Sequence, residues 1–152
     1  MNLVKQFNQY NNNNVVFCEP IKNNIMIDGN FIRILYSNEN MTLNGIYLFV
    51  NLKDIFFEKY YNKYKCIFNI SKHIDIIDNL KLIEEDILNK YKTDKIPLFK
   101  IYEQTKLGYI KFFSVFNNFK PCSFVLKISG IWETLYNYGL TYKFIVVNPS
   151  VE

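Results

Sequence analysis

Alanine is absent from this 152-residue chain, and arginine, histidine and tryptophan occur once each, as Arg33, His73 and Trp132. A single histidine leaves one possible base for any Ser/His or Cys/His pair, so nucleophilic catalysis of that kind has almost nothing to work with. Three cysteines, Cys18, Cys66 and Cys122, stand far apart without CxxC or CxxH spacing. That pattern gives no zinc-ligand set, and an odd, unpaired number points to a reducing, intracellular compartment rather than a disulfide framework. No glycine-rich phosphate loop and no GxSxG occurs, which removes the P-loop and nucleophile-elbow chemistries. No apolar run approaches the roughly 18 residues of a membrane span, and residues 1–10 lack the apolar core of a secretory signal. No catalytic residue, metal, cofactor or membrane partner is expected.

What is abundant is aromatic: 14 Phe and 12 Tyr raise that class to 18%. Asn, Ile and Lys are also heavily used, as an AT-rich genome would produce, so codon bias accounts for part of the excess. Hydrophobic residues at 49% and charged residues at 21% are ordinary for a packed domain. The formal net charge is +4. The positive excess lies in the two flanks, and residues 71–95 are slightly acidic. A mildly basic chain suits a polyanion partner without requiring one.

Along the chain, residues 1–14 are polar and read as a flexible lead-in. From 15 to 152 the pattern is that of one domain. Two-residue alternation predicts strands over 15–18, 30–36, 46–52, 64–70, 96–102, 109–116, 123–131 and 140–147. Between 71 and 91 the spacing changes: Ile74, Ile77, Leu80, Ile83, Ile87, Leu88 and Tyr91 recur every three or four residues, a helical face. Ser71 is the expected cap, His73 an expected surface residue, and Asp75, Asp78, Glu84, Glu85 and Asp86 an expected solvated face. A mainly β chain with one helix before its last strands matches the OB-fold layout, an OB-fold-like β-barrel, with the helix plugging one end.

Such barrels bind single strands through a basic groove and aromatic platforms. In 30–36, Ile32 and Ile34 share one face and Phe31, Arg33 and Leu35 the other; in 46–50, Ile46, Leu48 and Val50 oppose Tyr47 and Phe49. With the aliphatic set inside, Phe31, Arg33, Tyr47 and Phe49 face outward, as base stacking and phosphate pairing need. The other reading is that the segment 53–70 or a partner subunit covers this face. In the last two strands Lys127 and Lys143 fall on one face, where like charges are unfavourable unless an anion bridges them; alternatively both are simply solvated. Lys59, Lys63 and Lys65 alternate with tyrosines and form a second candidate contact loop, or a plain connector. Trp132 is expected as a core anchor.

The runs LKISGIW at 126–132 and YGLTYK at 138–143 resemble the closing hairpin of OB-fold single-stranded-DNA-binding proteins of large DNA viruses and tailed phages. FCEP at 17–20, Asn23 or Asn24, Gly29, ILY at 34–36 and Gly45 are similar to that family's entry strands. The resemblance implies non-sequence-specific binding of single-stranded nucleic acid, DNA rather than RNA, in viral DNA replication or recombination, at sites of viral replication in a host cell. It implies basic and aromatic residues on the barrel face, while the missing catalytic motifs lead to the expectation of no enzymatic activity. Phage members carry an acidic tail that recruits replication proteins; residues 147–152 hold one acid, so either recruitment uses another surface, or the tail is a segment outside this sequence, or the protein has taken another role. The alternative from a different class is a viral interaction or virion protein that uses the same face for self-association or a host factor, since aromatics suit protein interfaces as well.

Overall fold

The computed structural model describes residues 3–23, 29–61, 63–113 and 123–147. The end of the strand expected over 109–116, Asn24, Cys122 and the tail 148–152 lie outside them. The chain is mainly β with one main helix. Its strands are β1 (Val15–Phe17), β2 (Ile21–Asn23), β3 (Gly29–Ser37), β4 (Thr42–Leu43), β5 (Ile46–Asn51), β6 (Phe56–Tyr60), β7 (Lys63–Ile67), β8 (Ile96–Leu98), β9 (Tyr109–Phe113), β10 (Ser123–Glu133) and β11 (Asn137–Val146). Helix α1 spans Ile74–Lys90 and a short α2 spans Lys100–Thr105.

The strands form one large mixed sheet in the order β1-β3-β10-β11-β9-β7-β6. Among the described residues its two ends do not pair, so the expected barrel closure is not present and the sheet stays open. β10 is the hub. On one side it pairs with β11 along almost its whole length. On the other, residues 123–128 pair with β5 and residues 130–133 with β3. The partner changes where the register shifts between Ile128 and Gly130, so Ser129 is the extra residue of a bulge that bends the strand. Gly130 sits in that bend against the β3 backbone: a Cβ there would lie 2.3 Å from the Ile32 carbonyl oxygen. Gly45, at φ +114, immediately precedes β5 and lies beside the same bulge, against the Ile128 carbonyl.

The other edge of β11 is composite. β8 pairs in parallel with Asn137–Gly139 and β9 in parallel with Phe144 and Ile145. The strand expected over 96–102 thus stops at Leu98, and its second half is α2. Phe99, at the start of α2, offers no capping side chain. The cap comes from α1 instead: Glu84 Oε2 accepts the Ile101 N–H at 3.0 Å and Oε1 the Tyr102 N–H at 2.9 Å. Two of the orphan amides of a helix end are satisfied this way. That contact makes Glu84 fully buried, against the solvated position expected for it.

The core lies on the inner face of the sheet, where Ile32, Ile34, Ile46, Leu48, Ile110, Phe124, Leu126 and Ile128 meet Ile77, Leu80, Ile83, Ile87 and Leu88 of α1. Ser71 does not cap α1. It lies in a 3-10 turn, Ile70–Lys72, capped by Asn69. His73 precedes α1 and is buried, a correction to its expected surface place: its Nε2 accepts the Lys53 N–H at 2.9 Å and Nδ1 lies 2.6 Å from the Asn69 carbonyl. The polar lead-in is also tied down. Lys5 exchanges backbone hydrogen bonds with Tyr47 and Phe49 at 2.9 Å, Asn12 donates to Asp86 at 2.7 Å, and Lys90 donates to the Asn12 carbonyl at 2.7 Å.

Burial pushes the Glu84 carboxyl up to about 7 from an ordinary 4.5, although the two amides pull the other way. A carboxyl raised by folding keeps its proton longer in the native chain. Its contribution is therefore fully present below pH 4.5 and is lost as pH climbs to about 7. Urea unfolding of the wild type against Glu84→Gln should show a wild-type-specific fall of about 2 kcal/mol between pH 5 and 8, at about 1.4 kcal/mol per unit. Parallel pH profiles for the two proteins would contradict it.

Candidate nucleic-acid interface

The alternation that buries the aliphatic residues leaves a second, outer face. In β3 Ile32 and Ile34 are buried while Phe31 is half-buried and Arg33 exposed; in β5 Ile46, Leu48 and Val50 are buried while Tyr47 and Phe49 are half-buried. Directly paired residues share a face, so the register assembles this surface row by row. Tyr47 is opposite Lys127, and Lys127 is opposite Lys143. On the far side of β9, Lys111 is opposite Lys65, which is opposite Glu58. Lys143 and Lys111 stand one residue before the Phe144–Phe112 pairing that joins β11 to β9. One row across six strands therefore reads Tyr47, Lys127, Lys143, Lys111, Lys65, Glu58.

The flanking rows are apolar and aromatic. Phe49 is opposite Val125 and Val125 opposite Ile145, and Lys63 stands two residues before Lys65 on the same face of β7. On the other side, Arg33 is opposite Gly130 and Gly130 opposite Thr141. Tyr109 lies opposite Ile67, on the same face as Lys65 and Lys111. Several of these lysines lie near rings: Lys65 Nζ sits 4.1 Å from the centre of Tyr109, Lys111 Nζ 6.0 Å from the same ring, and Lys127 Nζ 5.6 Å from Tyr47. These are cation–π distances. The salt bridges found among the described residues, Lys72–Asp54, Lys95–Glu133 and Lys100–Glu103, involve none of the row.

Of the residues singled out from sequence, Phe31, Arg33, Tyr47, Phe49, Lys63, Lys65, Lys127 and Lys143 lie on this one face. Lys59 does not. It is opposite Tyr64, whose side chain is buried on the inner side, and its Nζ lies 5.7 Å from that ring. The turn between β6 and β7 carries Tyr61, 93% exposed. Phe31 is not a free platform: its ring covers Gly130, where a Cβ would come within 2.7 Å of it. Trp132, paired with Phe31 and Gly139, is half-buried on the same outer side rather than anchored in the core.

Sequence reasoning missed Lys111 and Tyr109. The signal was present in YIKFF at 109–113, where Lys111 alternates with buried Ile110 and Phe112 just as Lys127 alternates with Leu126 and Ile128. It missed Gln104 because the first turn of α2 reads as the end of a strand over 96–102 and position 104 as connector. Gln104 bridges β11 and β9 beyond the end of β8: its Nε2 donates to the Tyr142 hydroxyl at 2.7 Å, and its Oε1 accepts the Lys111 N–H at 3.2 Å. Burial, with nearby Glu84 next in effect, raises Tyr142 above the ordinary tyrosine range, so the hydroxyl stays a donor. Cys66 is buried, and desolvation pushes its thiol up to about 12, which makes it unreactive at neutral pH.

Comparison with known protein families, curated proteins and solved structures returned no match for this chain.

Proposed function

We propose that the outer face of the sheet binds single-stranded nucleic acid, DNA in preference to RNA, without sequence preference. The observation that carries this reading is the lysine row. Lys127 against Lys143, and Lys111 against Lys65, are like charges on neighbouring strands, an arrangement that costs stability in a sheet and that a chain of phosphates would neutralise. Half-buried rings in and beside the row, Tyr47, Phe49 and Tyr109, supply stacking surface that any base can use. The reading asks for a basic, aromatic sheet face and not for a closed OB barrel. A role in viral DNA replication or recombination rests on the resemblance of the 126–143 hairpin and belongs to the same proposal.

Anisotropy titration of a labelled oligo-dT strand at several salt concentrations tests it. Four to six phosphate contacts predict a slope of log K against log salt of roughly −3 to −4. Lys127→Gln should lower the slope by about 0.7, and Tyr47→Ala should weaken binding by about one decade at unchanged salt slope. A flat salt response overturns the reading. A stable oligomer with no affinity for the strand would assign the face to protein association instead.

A further inference from the structure

Where β8 and β9 part along the edge of β11, the sheet is interrupted by a hollow of about 660 Å³, within the size range of small-ligand sites, roughly 300–1,000 Å³. Lys63, Lys111 and Lys143 stand at its outer side, and all three are exposed. Phe112, Phe144 and Ile145 give it apolar walls. Gln104 and Tyr142 give it directional polar groups: the amide has a second N–H beyond the one that meets Tyr142, and the Tyr142 oxygen accepts from Gln104, so its own proton points elsewhere. A nucleotide needs this combination: cations for the phosphate, an apolar slot for the base, and donors for the base edge.

We propose that this hollow seats a single nucleotide unit, its phosphate among Lys63, Lys111 and Lys143 and its base inserted toward Gln104 and Tyr142. The proposal rests on the strand-binding reading of the face and adds to it: a strand crossing the lysine row turns one base out of line into the gap between β9 and β11. The three lysines come from three neighbouring strands, β7, β9 and β11, so their spacing is fixed by the sheet and not by a loop. The Gln104 bridge takes up the Lys111 N–H that a continuous β9–β11 ladder would have used, and so holds the gap open.

Backbone and side-chain amide NMR spectra of the full chain, titrated in parallel with thymidine 5′-monophosphate, thymidine and inorganic phosphate, test it, with oligo-dT anisotropy alongside. Thymidine 5′-monophosphate should shift the Gln104 side-chain amide and the amides of Lys111 and Lys143, and bind more tightly than either fragment. Lys111→Gln should weaken it about fivefold. Tyr142→Phe should weaken it about threefold while leaving inorganic phosphate unchanged. Oligo-dT that loses affinity in Lys127→Gln and Lys111→Gln but not in Tyr142→Phe, with no shift of the Gln104 side-chain amide, would overturn the pocket and leave the face reading standing. Shifts scattered away from the hollow would overturn it too. Saturable nucleotide binding at these residues without strand binding would support the pocket as a free-nucleotide site and remove the strand.

Discussion

Replacing Lys143 by glutamate is expected to move binding and stability in opposite directions. Lys143 lies opposite Lys127 and beside the β9 position of Lys111. A carboxylate there turns a like-charge cross-strand pair into an unlike one, an effect worth roughly 0.2–1 kcal/mol in favour of folding. The same change removes one cation from the centre of the row and sets a negative charge against the phosphates. Oligo-dT affinity should fall by about one to two decades at low salt, more than in Lys143→Gln, and the salt slope should become shallower. The melting temperature should hold or rise. A residue kept in place for folding would behave otherwise, because its reversal would lower the melting temperature and leave affinity per folded molecule intact. That result would defeat the assignment of the row to an anion partner.

Gly130→Val is expected to be the most damaging single substitution. β10 changes partner from β5 to β3 at this point, and the bend lets the β3 backbone come so close that a Cβ would sit 2.3 Å from the Ile32 carbonyl oxygen. Backbone cannot step aside as a flexible side chain can. The substitution must push β3 off β10 or straighten the bulge, and the cost should reach about 3 kcal/mol or more. Ser129→Ala, one residue away in the unpaired position of the bulge, should change stability by no more than about 0.5 kcal/mol. Urea midpoints of the two variants make the comparison, and a Gly130→Val protein as stable as Ser129→Ala would refute the account. Because Gly130 adjoins Arg33 on the outer face, loss of this pairing should also take oligonucleotide binding with it.

Local pattern was enough for the elements with a strict period. The two-residue alternation of Phe31 to Tyr36, Ile46 to Val50, and Leu126 to Ile128 is a local property of the chain, and the observed burial follows it residue by residue. The helix over 74–90 was legible for the same reason, its apolar residues recurring at the helical period. Short elements were not. β2, β4 and α2 are two to six residues long, too short for a period to register, and α2 draws its cap from Glu84 on another helix rather than from its own flank.

What the sequence by itself determined is the mainly β character, the single long helix and which side chains of each strand share a face, because these depend only on periods of two and 3.6 residues. It also determined that Arg33 and most of the named lysines and rings are on the non-aliphatic side. Only the tertiary structure decided whether the sheet closes, since closure depends on pairing between strands distant in the chain: β10 divides one edge between β3 and β5, and β11 divides its own between β8 and β9. Register between such strands aligned Lys127, Lys143, Lys111 and Lys65 into one row and placed Lys59 on the other face. The same packing buried Glu84 and His73, two polar residues that accept from backbone amides 17 to 20 residues away, because only a folded chain can bring those amides to them in exchange for water.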